Sequence, residues 1–176
     1  MKGNPNQVGI AIHTAQGGSG ATTVTRLLRA TMPQLRPNAQ TTLALVDVDD
    51  RTTTELPAGV DLLVLVFMLH QHGRVVEDYT ATSVERLVCA IREKQGAVPV
   101  VLVGNFGGRT WWERLWAGPT IRRLEQRVGL PVVGIIPDDR NLRRGAVPAH
   151  TPALRAAGRL AKRLVRLCPQ AGEVRT

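Results

Sequence analysis

The sequence predicts an α/β domain: a doubly wound, mostly parallel sheet of about five or six strands with helices on both faces. Three observations carry this. Five apolar runs, Val8–Thr14, Leu43–Val48, Leu62–Phe67, Val98–Gly104 and Pro131–Ile136, are rich in Val, Leu and Ile and show little alternation. Strands read that way when both faces are covered, as in parallel sheets. Helical periodicity fills most of the gaps between them, which implies right-handed βαβ crossovers. The length of 176 residues and the hydrophobic content of 43% suit one domain, residues 1–176, with a single sheet-based core.

Taken in order, the first strand runs into a glycine-rich turn, and a helix over Thr22–Leu35 then places Val24, Leu27 and Leu28 inward. After the second strand, Asp50 to Val60 holds Thr-Thr-Thr and Pro-Ala-Gly and has no helical pattern. Ser83–Lys94 carries Val84, Leu87, Val88 and Ile91 on one stripe. Pro119 suits the first turn of a helix over Thr120–Val128. Leu154–Cys168 forms the last helix. No run has the length of a transmembrane span, and Val8–Ile12 is too short for a signal core, so a cytoplasmic location is expected. Cys89 and Cys168 lie in apolar helical patterns and read as buried thiols.

The net charge is +9, unevenly spread. Met1 to Asp139 holds 14 basic and 13 acidic side chains, hence +1; Arg140 to Thr176 holds 9 and 1, hence +8. Arginine supplies 20 of the 23 basic groups, a bias that partner chemistry or a GC-rich genome would produce equally well.

The segment Ala15-Gln16-Gly17-Gly18-Ser19-Gly20-Ala21-Thr22-Thr23 joins a strand to a helix. Glycines there permit positive φ and close approach, so that successive amides can converge on an anion at a helix N-terminus. Thr22, at the helix start, has a hydroxyl suited to Mg²⁺. The alternative is a strand–helix turn that binds nothing. The glycine spacing is not that of a dinucleotide fingerprint.

This loop resembles the deviant Walker A motif of the ParA/MinD family of P-loop ATPases, K-G-G-x-G-K-[ST]-T. Gly17, Gly18, Gly20, Thr22 and Thr23 match, whereas Gln16 and Ala21 replace the two lysines. The form G-G-x-G-A-T-T resembles the atypical branch that includes the TadZ/CpaE proteins. Leu45-Val46-Asp47-Val48-Asp49-Asp50 is similar to the family's D-x-D segment. The resemblance implies a metal-side role for Asp47 and a hydrolytic role for Asp49. Only 11 residues separate Asp49 from Asp61, where the family carries a long segment with its Walker B strand. Asp61–Val66 is read as the strand after the missing one, which leaves the hydrolytic machinery incomplete. Val100-Val101-Leu102-Val103-Gly104-Asn105 is similar to the strand whose terminal Asn contacts adenine, and Pro131–Asp139 to the strand and loop flanking the base.

The resemblance thus implies ATP and Mg²⁺ as cofactors. Nucleotide would be held by Gly17, Gly18, Ser19, Gly20, Ala21, Thr22, Thr23, Asn105, Pro137 and Asp138, the metal by Thr22 and Asp47, and Asp49 would be the catalytic carboxylate. The expected function is a nucleotide-binding positioning or partitioning scaffold with weak or no hydrolysis, working as a homodimer or with a protein partner. The alternative is a nucleotide-independent pseudo-ATPase that binds DNA.

On a helical wheel Arg155, Arg159, Lys162, Arg163 and Arg166 fall within an arc of about 100°. Leu154, Ala157, Leu160, Ala161, Leu164, Val165 and Leu167 fill the other side. That is either a solvated face or, with Arg140, Arg143 and Arg144, a surface for polyanions such as non-specific DNA. The helix lacks aromatics and its apolar side reads as core, which disfavours a membrane partner. Trp111, Trp112 and Trp116 read as core or as a protein-interaction anchor. His70 and His72 lack neighbouring ligands in a metal pattern.

Overall fold

The computed structural model describes residues 7–15, 18–31, 42–48, 56–68, 73–107, 111–139, 142 and 150–168. Five strands form one sheet: β1 (Gln7–Thr14), β2 (Thr42–Val48), β3 (Val60–Met68), β4 (Val100–Gly107) and β5 (Val132–Pro137). Their order is β2-β1-β3-β4-β5, and all four pairings are parallel. Among the described residues four helices cover the sheet: α1 (Ala21–Thr31), α2 (Gly73–Gln95), α3 (Trp111–Val128) and α4 (Pro152–Leu167).

The central strands β1, β3 and β4 are buried on both faces, which is why they lack alternation. Ile10, Ile12, Leu62, Val64, Val66, Val101, Val103 and Ile136 pack with α1 and α4. The intervening residues Ala11, Leu63, Leu65, Phe67, Val100 and Leu102 pack with α2 and α3 on the other face. Period-two side-chain geometry splits one apolar run between two cores.

The order places a topological switch point between β1 and β3. From β1 the chain moves outward to β2; from β3 it moves the other way through β4 to β5. Ligand crevices in open α/β sheets form at the carboxyl ends of strands at such points. The glycine loop after β1 lies there. Near the opposite end, the Asp61 carboxylate accepts from the Gly9 N–H at 2.9 Å, beside a register shift between Gly9 and Ile10.

Several expected elements differ. Helix α2 starts at Gly73 rather than Ser83, and α3 starts at Trp111. Pro119 therefore lies inside α3, not in its first turn. Both segments lack strong apolar periodicity in their first halves, so the sequence pattern does not mark those starts. Cys89 is exposed, against expectation, whereas Cys168 is buried. Leu167 is also exposed, at 46%, because it lies past the stripe that meets the sheet. Among the described residues α1 ends at Thr31, and the expected extension to Leu35 lies outside them. No helix among the described residues is long and apolar enough to cross a membrane.

Candidate functional site

The described part of the glycine loop is framed by three ties. Its first is a continuation of the sheet: the Ala15 N–H donates to Val66 O at 2.8 Å, which anchors the loop entry to β3. The second lies within the loop, where Thr14 Oγ1 and Ser19 Oγ share a hydrogen bond of 2.6 Å. The third comes from β4. Asn105 Nδ2 donates to Ser19 O at 2.8 Å, with a longer 3.4 Å contact to Gly20 O. Ser19 is fully buried and Asn105 is 1% exposed, so the bond between them forms away from water.

Gly18 and Gly20 take φ of 71° and 79°, the left-handed region that glycine reaches without a Cβ penalty. Helix α1 starts directly after them. Gly20 O accepts the first helical bond, from the Val24 N–H at 3.0 Å. The amides of Ala21, Thr22 and Thr23 precede that bond and have no intrahelical acceptor, and no protein acceptor meets them among the described residues. The direction of the amides follows from the carbonyls. Every described peptide bond is trans, so C=O and N–H lie on opposite sides of each planar unit. With the Ser19 and Gly20 carbonyls turned toward Asn105, the N–H groups of Gly20 and Ala21 turn away from it. Together with the positive end of α1 they are the candidate for an anion site at this loop.

The site has no lysine at its helix end. Ala21 is 5% exposed and its methyl belongs to the apolar cluster under α1. Thr22 and Thr23 are half-buried on the first turn. Asp47 lies beside Ile12 in the β1–β2 register, near the same end of the sheet. Gln16, Gly17 and Asp49 lie outside the described residues, as do His70, His72, Arg140, Arg143 and Arg144. The side chains of Asp47 and of the three tryptophans also lie outside them; the tryptophan backbones form the first turns of α3.

The resemblance implies an adenine contact for Asn105; in the structure its buried Nδ2 donates to the loop carbonyls. The strand end is as expected; the direction of the side chain depends on a contact 86 residues away. Pro137 and Asp138 end β5, three strands from β1, hence about 14 Å across the sheet. The Thr14–Ser19 tie was not read from the sequence; two small hydroxyl residues bracketing a glycine pair were the available signal.

On α4, Arg155, Arg159, Lys162, Arg163 and Arg166 are all exposed. Arg163 Nη1 donates to Val133 O at 2.8 Å and so covers part of the β5 edge. No carboxylate among the described residues pairs with the other four. A shallow groove of about 500 Å³ between α2 and the end of α3 is lined by Val84, Val88, Cys89, Arg92, Val128 and Leu130 among others. No group of three potential metal ligands occurs among the described residues.

Neither a protein-family model nor a curated protein sequence matches the chain. Its fold does match solved structures. A MinC:MinD cell division complex from Aquifex aeolicus superposes with a TM-score of 0.67 at 13% identity, covering 90% of this chain and 96% of that one. A putative plasmid partition protein from Borrelia burgdorferi B31, bound to AMPPNP, gives 0.63 at 8% identity over 92% and 99% of the two chains. The septum site-determining protein MinD of Pyrococcus horikoshii OT3, complexed with Mg-ADP, gives 0.57 at 15% identity over 96% and 100%. These likenesses show the fold alone, one shared with MinD and with plasmid partition proteins.

Proposed function

We propose that the chain is a degenerate nucleotide-binding scaffold of the MinD/ParA type, in which Mg-ATP occupancy, with weak or no hydrolysis, positions a protein partner. One observation carries this reading. The loop at the switch point is tied from behind through its carbonyls, and the amides at its mouth have no protein acceptor among the described residues. The same fold has been solved with AMPPNP and with Mg-ADP in other proteins.

In this reading the backbone of Gly17, Gly18, Ser19, Gly20, Ala21, Thr22 and Thr23 holds the phosphates. Pro137 and Asp138 flank the base. The Thr22 hydroxyl and Asp47 would hold Mg²⁺, which when bound would neutralise phosphate charge, and Asp49 would orient water. Losing a charged donor costs about 1.5–3 kcal/mol per hydrogen bond, so replacing both lysines weakens binding and slows hydrolysis. A homodimer and the atypical branch that includes TadZ/CpaE are part of the same proposal, supported by the G-G-x-G-A-T-T form of the loop.

The test is a thermal-shift titration with Mg-ATP. Wild type gains about 2.7 kcal/mol of stability when ligand reaches 100 times its Kd. Gly20→Val, which forces a β-branched residue to φ 79°, shows no gain. No shift in wild type at millimolar Mg-ATP overturns the proposal.

A second reading rests on α4, where four exposed cations lack acidic partners among the described residues. Here the helix is a nucleotide-independent surface for DNA. Binding then falls steeply with salt and disappears on replacing Arg155, Arg159, Lys162 and Arg166 with Gln. Unchanged DNA retention by that variant excludes it.

A further inference from the structure

We infer that Asn105 is a positioning residue that aims the loop amides, a task that matters more here because no lysine stands at Ala21. The inference rests on the nucleotide reading above and adds a residue to it. A loop with cationic side chains keeps much of its attraction for phosphate even when its peptides wobble. A loop that relies on backbone dipoles does not, because the field of an amide depends on where it points.

The geometry singles out Asn105. It stands on β4, opposite Met68 of β3, and reaches across the end of β3 to the loop after β1. Its Nδ2 is 2.8 Å from Ser19 O and 3.4 Å from Gly20 O, and the side chain is 1% exposed. The two carbonyls flank the peptide units whose N–H groups belong to Gly20 and Ala21. Holding the oxygens inward holds those N–H groups outward. Without Asn105 a buried carbonyl is left unsatisfied, and flipping the Ser19–Gly20 peptide, which glycine tolerates, relieves it at the expense of the anion site. The Thr14–Ser19 bond fixes the same segment from the β1 side through two hydroxyls.

The experiment uses the full chain and Asn105→Asp, which keeps shape but turns an N–H donor into an anionic acceptor facing the carbonyls. Mg-ATP affinity is measured from pH 8 down to pH 5.5, each value relative to wild type at the same pH. The expected result is a loss of about tenfold or more at pH 8 that shrinks as the pH falls, because the protonated carboxyl donates to Ser19 O again. A purely packing role gives a loss that does not change with pH, and that result, or wild-type affinity at pH 8, overturns the inference. If Asn105→Asp does not fold, Asn105→Ala is used, with an expected loss of severalfold; unchanged affinity again overturns it. If wild type binds no Mg-ATP, the nucleotide reading fails and the Asn105 tie, here called the strap, is judged on the free protein. The Gly20 and Ala21 amide resonances of the variant then shift relative to wild type if Asn105 aims them. Unchanged resonances refute the strap itself.

Discussion

At the residue scale, chemistry here is set by where a side chain ends, and the two cysteines show it. Cys89 is exposed on α2, with its thiol 3.5 Å from Glu93 Oε1. Cys168 is 5% exposed at the end of α4, and burial, aided by the negative charge of Asp61, pushes its thiol up to about 11 from 9.0. In the native protein at pH 8 a disulfide reagent should therefore label one thiol quickly, Cys89, and reach Cys168 only on unfolding. The sign of the linkage follows from a raised folded value. The contribution of Cys168 is complete below pH 9 and is lost as the pH rises toward 11, because the unfolded thiol ionises first. Two units correspond to about 2–3 kcal/mol. Urea unfolding at pH 8 and pH 10.5 should show a steeper loss for wild type than for Cys168→Ala; equal slopes contradict the assignment.

At the element scale, α4 is stabilised by local rules that the sequence displays. Thr151 is its N-cap, accepting from the Leu154 N–H at 3.1 Å, and Pro152 follows in the first turn. Thr151→Ala should cost about 1 kcal/mol, read as a lower denaturation midpoint at unchanged m-value. A close approach governs the start of β1. A Cβ on Gly9 would run into the Gly59 carbonyl, so Gly9→Val should destabilise by more than an exposed strand substitution would. The last helix and the first strand were legible in the sequence from their apolar patterns, whereas the Thr151 cap and the Gly9–Gly59 approach emerged only from the structure. The starts of α2 and α3 were not legible in the sequence. Residues 73–82 and 111–119 carry polar residues, Gly118 and Pro119, which argue locally against helix. The helices form despite such preferences, which amount to about 1 kcal/mol per residue for Gly and about 3 for Pro.

At the scale of the whole molecule, one sheet separates two cores that share no side chain. Ile136 belongs to the cluster beneath α1 and α4, and Ile91 to the cluster beneath α2 and α3. Each is at most 1% exposed. Ile136→Val and Ile91→Val should each cost about 0.5–1.5 kcal/mol. Because a layer of backbone stands between the sites, the double variant should equal the sum within about 0.5 kcal/mol. A larger coupling energy in the double-mutant cycle would show that the sheet transmits strain between its faces.

By itself the sequence determined the layered architecture, the place of the glycine turn and the basic face of the last helix. Each is written in local quantities: residue volume, period, glycine spacing and charge. Only the tertiary structure decided the strand order that sets the turn at a switch point, the burial of Ser19, and the inward aim of Asn105. Those depend on residues far apart in the chain meeting where no water can substitute for a missing partner. Hydrogen-bond direction in such a place is fixed by which groups remain unsatisfied, and that is known only once the chain has folded.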